Sequence, residues 1–132
     1  MKTQHVVAIT GANRGLGRAL ALAFASTGVH LVVHARRLES LKPVVDEAQA
    51  RGAASVTEVA GDLLESDLSE RLAHACEQTH GRVDTLILNA AILGPMLPLA
   101  ETPMDEFAKV MRTNVDAQVP LVTALLPIMQ AQ

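Results

Sequence analysis

The stretch Thr10-Gly11-Ala12-Asn13-Arg14-Gly15-Leu16-Gly17 constrains the fold more than any other part of the chain. It joins an apolar run at residues 5–10 directly to a helical apolar pattern. A strand, a glycine turn and a helix in immediate succession aim backbone N–H groups and the positive end of a helix dipole at one point, which suits a phosphate. Gly11 allows the tight turn, while Gly15 and Gly17 let the backbone approach a ligand and the sheet closely. A turn made glycine-rich for packing alone is the competing reading, and the surrounding pattern disfavours it.

That pattern is an alternation of short apolar runs with amphipathic stretches, as in βαβ units on a parallel sheet. Strands are predicted at residues 5–10, 30–34, 55–60 and 85–89, with helical patterns at 19–25, 38–51 and from Asp67 to about His80. The second run is nearly all apolar, as a strand covered on both faces should be. Gly52 stands where a helix C-terminal cap belongs, and Pro43 falls in a first turn that tolerates its missing N–H. Asp67 followed by Glu70 predicts a capping box. Thr102 is predicted to cap a long last helix, with Pro103 at its first position and Asp105 three residues after the cap. Right-handed crossovers give strand order 3-2-1-4. The expected fold class is therefore α/β: a Rossmann-like doubly wound parallel sheet, truncated to about four strands, with helices on both faces. The fourth strand is left as an exposed edge that invites pairing with another chain.

Composition narrows the partners. A chain of 132 residues builds one core, and 49% hydrophobic with 19% charged residues marks it as folded. A net charge of -3 provides no basic field for nucleic acid or an anionic membrane surface. No apolar stretch reaches the ~18 residues of a spanning helix, and the first apolar run leads into Gly11 without a cleavage site, so it reads as a strand and not a signal peptide. The single cysteine, Cys76, excludes an internal disulfide and suits a cytoplasmic setting; with Leu68 and Leu72 it falls at i, i+4, i+8 and reads as a buried helix face. The five histidines, at 5, 30, 34, 74 and 80, show no metal-ligand clustering. His34 reads as a structural residue at a strand end that could border an adenosine pocket.

The glycine spacing, TGxxxGxG, differs from GxGxxG and lacks the GK[ST] ending of a P-loop. Together with Gly61-Asp62-Leu63 after the third strand, Asn89-Ala90-Ala91 after the fourth and Asn114 on the last helix, it resembles the single-domain short-chain dehydrogenase/reductase family, along the whole chain. The resemblance implies that residues 1–132 form the dinucleotide-binding half of such a domain. It implies cofactor contacts from Gly11, Asn13, Arg14, Gly15, Leu16 and Gly17, from Asp62 (to the adenine amino group) and Leu63, and from Asn89, Ala90 and Ala91, which also brace the sheet. Ala91 stands where the family usually has glycine. Asn114 is implied to hold a proton-relay water. The family commonly dimerises through the helix containing that asparagine, so a homo-oligomer is expected.

Charge selects the cofactor. An NAD site places an acid about 20 residues past the glycine turn for the ribose 2′-OH, and that acid would repel a 2′-phosphate. Here the second strand ends His34-Ala35-Arg36-Arg37. The expected cofactor is NADP(H), with Arg36 and Arg14 on its 2′-phosphate, whereas Arg37 and Arg18 read as a solvated face. Asn114 also stands out without the family, because it falls on the apolar stripe of Phe107, Val110, Met111, Val115 and Val122. A purely structural amide, tying up a helix distorted by Pro120, is the alternative to the relay.

Carbonyl reduction needs a proton donor besides a hydride donor. The family uses Tyr and Lys of YxxxK with a preceding Ser, normally beyond the long helix, and this chain contains no tyrosine. Lys109 is no substitute. The leading expectation is an NADP(H)-dependent oxidoreductase of carbonyls or alcohols, of which these residues are a truncated, inactive half; the ending Met129-Gln130-Ala131-Gln132, without glycine cap or charge, favours it. The alternatives are a non-catalytic NADP(H)-binding module and a dimerising structural subunit.

Overall fold

A computed structural model of the chain describes residues 4–132; residues 1–3, which the expected domain includes, lie outside the described residues. Four strands, β1 (His5–Ile9), β2 (Val29–Ala35), β3 (Ser55–Ala60) and β4 (Thr85–Ile87), form one parallel sheet in the order β3-β2-β1-β4. The expected strand order is thus met. Among the described residues there are five α-helices: α1 (Gly15–Phe24), α2 (Lys42–Ala50), α3 (Leu68–His80), α4 (Met104–Met111) and α5 (Gln118–Gln130).

Strand alternation builds two cores. Val7, Ile9, Leu31 and Val33 face α1 and α2, packing on Ala21, Leu22, Val44 and Ala48. Val6, Ala8, Val32 and Val59 face the other way, onto Leu68, Leu72 and Cys76 of α3 and Leu121 and Leu125 of α5. Each fully buried valine, leucine or isoleucine contributes roughly 1.5–3 kcal/mol. The Cys76 stripe is buried as expected, and burial pushes its thiol up to about 12, which leaves it unreactive near neutral pH.

Local details depart from the sequence pattern for identifiable reasons. Residues 38–51 are not one helix: a 3₁₀ turn at Leu38–Leu41 precedes α2, since Pro43 has no N–H to extend the helix backwards. Gly52 follows α2 with φ +98, as a capping glycine should. The Asp67–Glu70 capping box does not form. Asp67 has helical dihedrals and makes no cap hydrogen bond; its carboxylate is drawn instead to Arg71, one turn on, at 3.1 Å. Thr102 does not cap α4 either. Its hydroxyl donates to the Pro98 carbonyl at 3.0 Å, and extended Pro103 takes the cap position.

The long last helix is interrupted by a π-helical turn at Arg112–Asp116, closed by the Ala117 amide donating to the Arg112 carbonyl at 2.9 Å. It lies just before Pro120, whose missing donor weakens the regular ladder there. The stripe expected to be buried faces outward: Phe107, Met111, Val115 and Val122 are about 40–50% exposed. The covered face is Thr113, Ala117, Leu121 and Leu125.

Candidate functional site

Because the four strands run the same way, the segments that leave their carboxyl ends all emerge along one edge of the sheet. The glycine turn follows β1, Arg36 follows β2, Gly61-Asp62-Leu63 follows β3 and Asn89-Ala90-Ala91 lies just beyond β4. The chain winds outward from β1 to β2 and β3, then returns to place β4 on the other side of β1. A crevice opens at such a reversal, at the carboxyl ends of the strands.

Thr10 ties the two sides of that crevice together. Its side chain is fully buried, and its hydroxyl accepts hydrogen bonds from the amides of Asn89 and Ala90, each at 3.0 Å. This is why the fourth strand ends at Ile87, two residues short of the apolar pattern: the next amides leave the ladder for a side chain. The Asn89 side-chain amide donates in turn to the carbonyls of Thr10 (3.1 Å) and Gly11 (3.0 Å). Thr10 carried no role in the sequence reading. A hydroxyl at the last position of an otherwise apolar strand, just before the glycine, was the available signal.

Gly17 is a site of close approach. A Cβ there would collide with the Gly11 carbonyl oxygen and the Asn89 amide, both held rigidly. Gly15 has the opposite surroundings: φ is +56 and nothing lies within 4 Å of where its Cβ would stand, so the backbone faces open space. Helix α1 begins here with an extended Arg14, no side-chain cap and no acid in its first turn. The amides of Leu16 and Gly17 have no partner among the described residues. An uncapped helix N-terminus at a crevice carries an unanswered partial positive charge.

Two cations flank it. Arg14 and Arg36 are exposed, and neither makes an ion pair or side-chain hydrogen bond among the described residues. By contrast Arg37 pairs with Glu39 and Arg18 with Glu47, the solvated pairs expected of them. Half-buried Asn13 completes the turn, and the Leu16 side chain is 68% exposed. Asp62 is exposed, one carboxylate oxygen accepting from the Leu64 amide at 2.9 Å; Leu63 is half-buried against the α3 core. Ala91 needs no glycine-like freedom, because no non-glycine residue described here has a positive φ.

Asn114 lies in the π-helical turn and is half-buried. Its Oδ1 accepts from the Ile92 amide and its Nδ2 donates to the Ile92 carbonyl, both at 2.8 Å. One donor and one acceptor of the side chain thus clamp the loop after β4, rather than the distorted helix that the structural alternative had it tie up. Gln118 extends the clamp by donating to the carbonyls of Ala90 (3.4 Å) and Thr113 (3.2 Å), a role its sequence position did not suggest. Among the described residues no group of histidine, cysteine and acids could hold a metal ion, and no helix is long and apolar enough to cross a membrane.

Residues 5–132 match the family model for short chain dehydrogenases. The chain belongs to that family. An uncharacterised oxidoreductase of Listeria monocytogenes is 32% identical to it over 127 residues, 96% of this chain and 50% of that protein. Among solved structures, a metagenomic short-chain oxidoreductase in complex with NADP superposes with a TM-score of 0.88 at 33% identity, over 98% of this chain and 58% of the other. The L-sorbose reductase of Gluconobacter frateurii, complexed with NADPH and L-sorbose, gives 0.86 at 28% identity, over 98% and 49%. The chain therefore spans about half the length of the short-chain dehydrogenases it matches.

Proposed function

We propose that residues 1–132 are the dinucleotide-binding half of an NADP(H)-dependent oxidoreductase acting on a small carbonyl or alcohol. The observation that carries this reading is the uncapped N-terminus of α1 flanked by two unpaired arginines, with no carboxylate at the end of β2 to oppose them. The pyrophosphate fits over the amides of Leu16 and Gly17, where the helix dipole and bare donors await an anion. Arg14 and Arg36 fit the 2′-phosphate, for which guanidinium forks are well matched. Asp62 and Leu63 fit the adenine end; Asn89, Ala90 and Ala91 line the crevice towards the other end. NADPH bound there supplies the hydride. Asn114 sets the loop at Ile92 and so positions the nicotinamide end, and a proton-relay water is the second role we assign to it. Complexes with NADP and NADPH among the structural neighbours support the cofactor choice.

The outward apolar face of α4 and α5, with Phe107, Met111, Val115 and Val119 exposed, supports a homo-oligomer through this helix. Fluorescence titration with NADPH and NADH tests the cofactor reading. We expect NADPH to bind at least about tenfold more tightly, equivalent to about 1.4 kcal/mol. Equal affinities, or a preference untouched by Arg36→Ala, would defeat it.

A further inference from the structure

His34 joins the ends of two other strands, and the function proposed above does not use it. It is 1% exposed near the end of β2. Its Nε2 lies 2.9 Å from the Gly61 carbonyl just after β3, and the Gly11 amide just after β1 points to its Nδ1 at 3.4 Å. A carbonyl can only accept, so Nε2 carries the proton and Nδ1 is left bare to receive the Gly11 N–H. One neutral tautomer satisfies both neighbours. The backbone reinforces the link, since the Ala12 amide donates to the His34 carbonyl at 2.8 Å.

A second proton would set an N–H at Nδ1 against the Gly11 N–H and bury a charge. Burial is the largest influence holding the ring below its ordinary pKa; Arg71 of α3 acts the same way, while the Gly61 bond and the carboxylates of Asp62 and Glu65 in the loop before α3 oppose it. Gly11 opens the phosphate-facing turn, and Gly61 opens the loop that carries Asp62. The ring therefore spans both halves of the candidate cofactor crevice.

We propose that His34 is a positioning residue for the glycine turn, its neutral imidazole holding Gly11 and the Gly61 loop in register, so that proton uptake by the ring and NADP(H) binding exclude each other. The second half of this rests on the cofactor reading above; the first half does not.

NMR titration of the labelled protein between pH 8 and 5 tests both. In the free protein the amide resonances of Gly11 and Gly61 should follow the ring's own titration. His34→Asn offers an acceptor near the Nδ1 position and should keep Gly11 protected from hydrogen exchange, without pH dependence. His34→Gln offers a donor near Nε2 and should keep only the Gly61 contact. A Gly11 resonance that stays flat while the ring titrates, or equal behaviour of the two variants, overturns the positioning role. If neither variant folds, the wild-type titration decides alone. Saturating NADP⁺ should then lower the ring's pKa, because linkage is reciprocal. Correspondingly, wild-type affinity for NADP⁺ should fall more from pH 8 to 5 than that of His34→Asn, which shares the titration of the 2′-phosphate, the excess at pH 5.5 staying below about tenfold because the ring's pKa lies below its ordinary value. An unchanged ring pKa on binding overturns the exclusion. Absence of NADP⁺ binding at pH 8 overturns the cofactor reading instead and leaves the titration of Gly11 standing.

Discussion

Replacing Thr10 by valine isolates the hydroxyl that joins β1 to the segment after β4. Valine has nearly the same shape, so packing in the fully buried site is preserved and only the oxygen is lost. Two amides, of Asn89 and Ala90, then lack the acceptor they reach at 3.0 Å. An unsatisfied buried donor costs about 1–3 kcal/mol; both residues are half-buried, so the lower part of that range applies, giving about 2–3 kcal/mol in all. For a chain of this size each kcal/mol lowers the melting temperature by roughly 3–4 °C, so Thr10→Val should melt about 6–12 °C below wild type. Thr10→Ser keeps the hydroxyl and loses one buried methyl, about 1 kcal/mol or roughly 3–4 °C. Thermal unfolding followed by circular dichroism reads both. Loss of the hydroxyl also frees Asn89 from the seam that sets its bonds to the Gly11 carbonyl, so Thr10→Val should bind NADPH more weakly than Thr10→Ser does. A valine variant that melts with or above the serine variant would refute the reasoning.

Two further outcomes are expected. Asp84 is pulled both ways: burial raises its pKa, but the Arg82 guanidinium and the Val6 amide at 2.8 Å outweigh it and hold the carboxyl below its ordinary value. A carboxyl so depressed stabilises the fold above the ordinary carboxylate range and loses that contribution as pH falls through its folded pKa, so denaturant titrations at pH 7 and pH 3 should show a smaller acid loss in Asp84→Asn than in wild type. The 132-residue chain alone, lacking tyrosine, should show no NADPH-dependent reduction of a panel of small aldehydes and ketones, and turnover at ordinary enzyme rates by pure protein would contradict the assignment of this half.

The sheet order was legible in the sequence because strands buried on both faces read as apolar runs, and right-handed crossovers leave few ways to order them. The glycine turn was legible because its requirements are local: Gly17 sits where any Cβ would strike Gly11 and Asn89. What failed were readings in which a residue has two possible partners. Asp67 fits a cap pattern, yet Arg71 lies within reach of its carboxylate and wins. Thr102 fits another, yet the Pro98 carbonyl takes its hydroxyl. The last helix shows the same limit on a larger scale. Its strongest apolar stripe, through Phe107 and Val115, faces outward, while a weaker face containing Thr113 and Ala117 packs inward. Periodicity shows that a helix has an apolar side, and here two sides compete for one core. His34 was readable only as a strand-end residue, because its partners Gly11 and Gly61 are distant in the chain and meet through the sheet.

The central claim is that a phosphorylated dinucleotide lies over the bare N-terminus of α1. Adding NADP⁺ to ¹⁵N-labelled protein and following the backbone amides tests it most directly. The largest shifts should fall on Gly15, Leu16 and Gly17, with further shifts at Arg36, Asp62 and Ala91. Saturable binding that leaves those amides unmoved, or moves a different edge of the sheet, would contradict it.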